Sequence, residues 1–96
     1  MKWGRYMIKR TDVFNINFYD RDLERLSGSF RKMRYRIAKK VEEDKKILQV
    51  TIWPGPYNYD TTAEELKVRA EFEFSNAGLD EAVEYLNQVY LASYAE

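Results

Sequence analysis

The stretch DRDLERLSGSFRKMRYRIAKKVEED, residues 20–44, decides which fold this sequence predicts. Its apolar residues recur every three or four positions, which is the period of an amphipathic helix. These positions are Leu23, Leu26, Phe30, Met33, Ile37 and Val41. Asp20 and Asp22 near the start, with Lys39 and Lys40 near the end, suit the dipole of a helix. The spacing therefore favours a helix here, with a short turn before Ser27 and a longer helix after it.

The same stretch also fits an extended chain. Residues 27–29, SGS, interrupt the helical pattern with weak helix formers. Met33, Tyr35 and Ile37 alternate with arginines, as they would in a strand with one buried face. The alternative prediction is a strand from Met33 to Val41 that turns back in the charged run that follows.

Alternation of apolar and polar residues is clearer on both sides of this stretch. It predicts strands at residues 13–19, 47–53 and 67–74, with residues 5–10 as a further strand or part of the first. Ser75 or Asn76 is expected to cap a helix that runs to about Tyr90. The buried stripe of that helix is predicted to be Leu79, Val83, Leu86 and Tyr90.

This order of elements predicts an α+β fold. We expect a two-layer sandwich in which a three- to four-stranded, mainly antiparallel sheet carries two helices on one face. The 96 residues suit a single domain, because a chain of this length can bury a core without disulfides or metal ions.

The chain contains neither cysteine nor histidine. Disulfides and thiolate sites are therefore excluded, together with the commonest general base and the commonest transition-metal ligand. Its four glycines form no phosphate-binding fingerprint. Glu71 and Glu73 share a strand face near Asp60, Glu64 and Glu65, but no lysine or histidine completes a catalytic site around them. We therefore expect no enzymatic activity, no catalytic residue, no metal site and no cofactor.

Sixteen basic and sixteen acidic residues balance to zero net charge, but they are unevenly distributed. Residues 1–46 hold 14 Lys/Arg and 7 Asp/Glu, whereas residues 47–96 hold 2 and 9. Two halves that neutralise each other would explain this pattern. So would one basic face that binds nucleic acid or an acidic protein. The candidate nucleic-acid-binding residues are Arg31, Lys32, Arg34, Arg36, Lys39 and Lys40, whose charges would contact phosphates.

Residues 51–60, TIWPGPYNYD, connect the last two predicted strands. Two prolines stiffen this connection, and Gly55 permits a turn that other residues make at a higher cost. A rigid loop loses little entropy on binding, so Trp53, Tyr57 and Tyr59 are the candidate partner-binding residues. The alternative is that some of these rings fold back to cap the core, since large aromatic side chains are mostly buried.

The favoured function is a small non-enzymatic protein-binding domain, an adaptor, regulator or inhibitor, that docks through this aromatic loop. A nucleic-acid-binding module that uses residues 31–40 is the alternative.

No membrane partner is expected, because the apolar runs are too short to span a bilayer and the first residues lack a signal-peptide core. A cytoplasmic location is therefore expected. Tyr85, Tyr90 and Tyr94 offer a surface for a weak homodimer.

Overall fold

The structure of the protein, a computed structural model, describes residues 8–20, 25–55 and 57–94. Within these residues it contains four strands and two helices. In chain order they are α1 (Ile16–Tyr19), β1 (Arg25–Phe30), β2 (Met33–Glu42), β3 (Lys45–Pro54), β4 (Val68–Glu73) and α2 (Asn76–Val89). The predicted α+β fold is confirmed, in its four-stranded form.

The four strands form one antiparallel sheet in the order β1-β2-β3-β4, so each strand pairs with its neighbour in the sequence. Two residues, Glu43 and Asp44, join β2 to β3 with φ angles of 50° and 69°. Positive φ at both central residues is the geometry of a type I′ turn, whose twist matches that of the strands. β1 and β4 are left as the two edges of the sheet.

The helix favoured for residues 20–44 is wrong. Its described part from Arg25 onward forms the β1–β2 hairpin, so the alternative strand beginning at Met33 is correct. Apolar residues four apart share a face in a strand as well as in a helix, so that spacing did not distinguish the two. The alternation around Tyr35 did, because only a strand puts every second residue on one face.

The strand predicted at residues 13–19 is also wrong. A 3-10 turn (Arg10–Val13) and the short helix α1 occupy this region. Asn15 begins α1, because its side-chain oxygen accepts a hydrogen bond of 3.0 Å from the backbone N–H of Asn17. Most of the further strand considered at residues 5–10 lies outside the described residues.

The core lies between α2 and one face of the sheet, which we call the inner face. The strands β2 and β3 supply its largest fully buried residues, and Tyr19 of α1 joins the same cluster. The fully buried side chains of the inner face are Met33, Ile37, Leu48, Val50 and Ile52. Each such residue contributes about 1.5–3 kcal/mol through burial of its apolar surface.

Helix α2 begins as predicted, since the hydroxyl of Ser75 accepts a hydrogen bond of 3.0 Å from the backbone N–H of Gly78. A Cβ added to Gly78 would lie only 1.8 Å from the carbonyl oxygen of Glu73, so the helix packs directly on the end of β4. The predicted buried stripe is confirmed at Leu79, Val83, Leu86 and Tyr90. None of the helices in the described part of the chain is long and apolar enough to cross a membrane.

Candidate functional site

The opposite face of the sheet, the outer face, brings the two predicted sets of binding residues together. Paired residues on neighbouring strands share a face. The register pairs Ser27 with Arg36 and Ser29 with Arg34 across β1 and β2, and it pairs Arg34 with Trp53 across β2 and β3. Two arginines of the basic segment therefore lie beside the first aromatic residue of the loop.

A groove of about 450 Å³ opens on the outer face between β1 and the loop that follows β3. We call it the outer groove. Its polar and exposed lining residues are Ser27, Ser29, Arg34, Arg36, Tyr57 and Asn58. The groove thus combines small hydroxyl side chains on one side, guanidinium groups in the middle and the loop on the other side.

Trp53 anchors the loop to the sheet. Its side chain is only 4% exposed, although the sequence suggested an outward-facing position. The indole N–H donates a hydrogen bond of 2.9 Å to the backbone carbonyl of Tyr57. The ring also packs edge-to-face on Tyr59, with centroids 5.4 Å apart. Trp53 is buried under the loop on the outer face and is not part of the core cluster, and direct contact of this ring with a partner stays a prediction.

Tyr59 is held by cations. The Arg36 Cζ atom lies 3.8 Å from its ring centroid and the Lys67 Nζ atom lies 3.9 Å from it. The Tyr59 hydroxyl accepts a hydrogen bond of 3.1 Å from Arg69. Cation–π contacts favour positions over the ring face, so these contacts leave little of the ring for stacking against a ligand.

Tyr57 is the exposed aromatic residue of the loop, at 53% of its surface. The segment after it is fixed by hydrogen bonds, since the Asn58 side-chain oxygen accepts from both the N–H and the hydroxyl of Thr61. The Thr62 hydroxyl donates to the Asn58 carbonyl at 2.6 Å. The sequence predicted a rigid loop that presents Trp53, Tyr57 and Tyr59. Of the three, Tyr57 is the exposed one, and its role in binding stays a prediction.

Gly55 allows the side chain of Arg34 to pass close to the end of β3. Its φ angle is not positive, so the turn conformation expected from the sequence does not explain this glycine. A Cβ at Gly55 would lie 2.9 Å from the Nε atom of Arg34 and 3.3 Å from the carbonyl oxygen of Lys32. Close approach is therefore the reason for glycine at this position.

Arg34 and Arg36 are half-buried, and their Nε atoms are buried without a hydrogen-bond partner. Neither guanidinium forms an ion pair with an acidic residue in the described ranges. Buried polar groups are normally satisfied. Both arginines line the outer groove and bring positive charge to it.

The other four candidate phosphate-binding residues are dispersed. Arg31 and Lys32 form the β1–β2 turn. The Lys39 ammonium lies on the inner-face side, 3.7 Å from a carboxylate oxygen of Asp20. Lys40 pairs with Glu42 and Glu71, whose hydrogen bonds to its ammonium raise the pKa of Lys40. The structure thus brings Arg34 and Arg36 together and separates them from Lys39, and nucleic-acid binding by the whole segment stays a prediction.

Glu64 of the loop and Glu71 of β4 are engaged in ion pairs. Glu64 contacts both Lys67 and Arg69 at 2.8 Å. Hydrogen bonds from Arg69 and Lys67 lower the pKa of Glu64 to about 2. Within the described ranges, no three acidic side chains are grouped so that they could hold a metal ion.

The tyrosines of α2 and the turn after it are largely used in packing. Tyr90 is 8% exposed and contacts Phe30 edge-to-face, with centroids 4.9 Å apart. Tyr85 packs on Phe72, and burial raises the pKa of Tyr85 and of Tyr94. The surface offered for a homodimer is therefore smaller than the sequence suggested, and self-association stays a prediction.

Ser27, Ser29 and Asn58 are the groove residues that sequence reasoning missed. The alternation of Tyr35 with the two arginines was the available signal, because a strand there places both arginines opposite β1.

No protein-family model, curated protein or solved structure matches this chain. The fold and site define an α+β domain with a basic groove, whose guanidinium groups can bind carboxylate or phosphate groups.

Proposed function

We propose that this chain is a non-enzymatic protein-binding domain that docks an acidic segment of a partner protein in the outer groove. The observation that carries the proposal is the pair Arg34 and Arg36, which line the outer groove and form no ion pair with a described acidic residue. By contrast, Lys40 and Arg69 on the same face are each neutralised by a carboxylate. An adaptor, a regulator or an inhibitor could work through such a docking site.

A carboxylate from the partner would pair with guanidinium groups that form no ion pair with a described acidic residue. Guanidinium groups bind carboxylates through two parallel hydrogen bonds, and such charge-assisted bonds are about twice as strong as neutral ones. The groove therefore favours a ligand with negatively charged, planar end groups.

Several features favour a protein segment over nucleic acid. Single-stranded nucleic acid needs exposed aromatic faces on which bases stack. Trp53 is buried and the Tyr59 ring is covered by cations, so Tyr57 alone offers an accessible ring among the three. The same sheet face also carries Glu71 and Glu73, which would repel a long phosphate backbone. A short acidic segment beside Arg34 and Arg36 avoids that repulsion.

Tyr57 extends the proposed contact surface at the rim of the groove. It is half exposed on a loop held by Asn58, and an ordered aromatic side chain loses little entropy when a partner covers it. The proposal includes a cytoplasmic location, since a cysteine-free chain needs no oxidising compartment.

The test measures binding of three labelled probes to the whole chain by fluorescence anisotropy: a ten-residue glutamate-rich peptide, a lysine-rich peptide of equal length and a ten-nucleotide single-stranded DNA. We expect the glutamate-rich peptide to bind most tightly. The double variant Arg34→Gln/Arg36→Gln should weaken its binding at least tenfold, because both charged anchors are removed.

The matched control is Lys9→Gln/Lys45→Gln, which removes two exposed positive charges outside the outer groove. It should change binding of the glutamate-rich peptide less than threefold. An equal loss in both double variants would show a general charge effect and overturn the proposal. Tighter binding of the DNA, weakening steeply with salt, would also overturn it and favour nucleic-acid binding instead.

A further inference from the structure

The edge strand β1 lies next to the outer groove. No described residue pairs with the side of β1 that faces away from β2. β1 carries a charge only at its first residue, Arg25, and its centre is Ser27, Gly28 and Ser29. Natural sheets protect exposed edges with charged residues, prolines or bulges, because an open edge accepts further strands. β1 has none of these devices in its centre.

The opposite edge is different. β4 alternates Arg69, Glu71 and Glu73 along the outer face, so charged side chains border its whole length. Such charges discourage the addition of another strand. The two edges of the sheet therefore differ in chemistry, and β1 is the edge at which an extended chain could be added.

Arg34 and Arg36 are each separated from the open edge by one residue of β1. Ser27 lies between Arg36 and the edge, and Ser29 lies between Arg34 and the edge. Neighbouring strands are about 4.8 Å apart, so an added strand would run about 10 Å from β2. An arginine that turned from its contacts with the loop towards β1 would span that distance together with an acidic side chain of the added strand.

We propose that the acidic partner segment binds as a fifth strand along β1, with acidic side chains at every second position facing Arg34 and Arg36. This inference rests on the proposed function. Backbone hydrogen bonds to β1 supply the affinity, and the alternate side chains supply the specificity, as in other cases of strand addition.

The inner-face positions of the added strand would be apolar. Leu26 and Phe30 of β1 are only partly buried and pack against the core cluster. Apolar residues that alternate with the acidic ones would cover them and extend the core by one strand. The expected ligand is therefore an extended peptide in which acidic and apolar residues alternate.

A second copy of this chain fits the same edge poorly. Residues 25–41 contain seven Lys/Arg and no Asp/Glu, so pairing of two β1 strands would bring two basic regions together. Like charges across paired strands are destabilising. Charge complementarity therefore favours an acidic partner at this edge.

The test uses three eight-residue peptides with the whole chain. The first alternates Glu and Val, the second has the same residues in blocks of two, and the third is the alternating peptide with every backbone nitrogen methylated. The alternating peptide should bind at least tenfold more tightly than both others. Hydrogen exchange at the amides of β1 should become slower when it binds.

Equal binding of all three peptides would overturn strand addition and leave the proposed function standing, because only charge would then matter. Binding of none of them, together with failure of the glutamate-rich probe, would overturn the proposed function itself. Slow exchange throughout β1 in the free protein would show that its edge is already paired, which would also overturn the inference.

A double variant tests the reach of the arginines. Ser27→Glu/Ser29→Glu places carboxylates directly opposite Arg36 and Arg34. The new carboxylates should compete with the ligand, so binding of the alternating peptide should fall at least tenfold while the melting temperature does not fall. Ser27→Gln/Ser29→Gln has the same size without charge and should bind within threefold of the unmodified protein. An equal loss with glutamine would overturn the proposed reach across β1.

Discussion

The two faces of the sheet are built from the same four strands, yet they are closed in different ways. The inner face is closed along its length by α2 and by apolar side chains such as Leu48 and Leu86 that are fully buried. The outer face is closed only at one end, where Trp53 and Tyr59 hold the loop with hydrogen bonds and cation–π contacts. Stability is therefore concentrated on the inner face, and the groove of the outer face is left with two arginines that form no ion pair with a described residue.

The largest expected effect on stability is at Trp53, which is buried although it lies on the outer face. Trp53→Ala should lower the free energy of unfolding by about 3–5 kcal/mol, the usual loss for a buried large aromatic residue. Tyr57→Ala should change it by less than about 0.5 kcal/mol, because its ring is half exposed. Urea unfolding of both variants measures the difference. A small loss for Trp53→Ala would mean that the loop is not anchored as described.

On the inner face, the close contact of α2 with β4 requires that position 78 be glycine, which has no side chain. Gly78→Ala places a methyl group against the Glu73 carbonyl, so the helix must move away from the strand. We expect a loss of about 1–3 kcal/mol, as for other overpacked sites. The exposed Glu81→Ala in the same helix should change stability by less than about 0.5 kcal/mol. If the two variants unfolded at equal urea concentrations, the close packing of α2 on β4 would be refuted.

The sequence was sufficient for β3, β4 and α2, and it failed for the region before them. In β3 the alternation of Leu48, Val50 and Ile52 fits a strand and no helix, so one periodicity applied. In α2 the cap at Ser75 and a stripe that includes Leu79 fit a helix alone. Where two periodicities coincide, as they do from Leu26 to Val41, spacing alone does not decide the structure.

The hairpin turn explains the failure in that region. Phe30 and Met33 both lie on the inner face, although they are three residues apart, because the two-residue turn between them changes the phase of the alternation. That step of three is also the step of a helix. The weak helix formers at Ser27, Gly28 and Ser29 were the physical signal for strands, and they also form the small-residue centre of the edge next to the groove.

The candidate site was predicted in its residue types and not in its arrangement. Trp53 and Arg36 were identified from separate patterns, as an aromatic loop and a basic segment. Their proximity depends on the register between β2 and β3, which pairs Arg34 with Trp53 and Arg36 with Thr51. Register depends on the packing of the whole inner face, so it could not be derived from the local pattern of either segment.

The smallest expected effect is a dependence of stability on pH, which arises from the outer face and not from the inner face. The inner face is held by apolar contacts, whereas Glu64 helps to hold the outer-face loop through Lys67 and Arg69. These hydrogen bonds lower the pKa of Glu64 from its ordinary value of 4.5 to about 2. A lowered pKa in the folded state means that the unfolded chain takes up this proton first as the pH falls. The contribution of Glu64 is therefore complete above about pH 4.5 and is lost as the pH falls through about 2.

Melting temperatures of the unmodified protein and of Glu64→Gln between pH 7 and pH 2 measure this contribution. The two should differ at pH 7 and converge below pH 4.5, because protonated Glu64 behaves like the neutral amide. Asp20 also has a lowered pKa, through Lys46, but it is present in both proteins and affects their melting temperatures alike. Parallel curves down to pH 2 would show that the ion pairs of Glu64 do not stabilise the loop. The closure of the outer face would then depend on Trp53 and on the cation–π contacts of Tyr59.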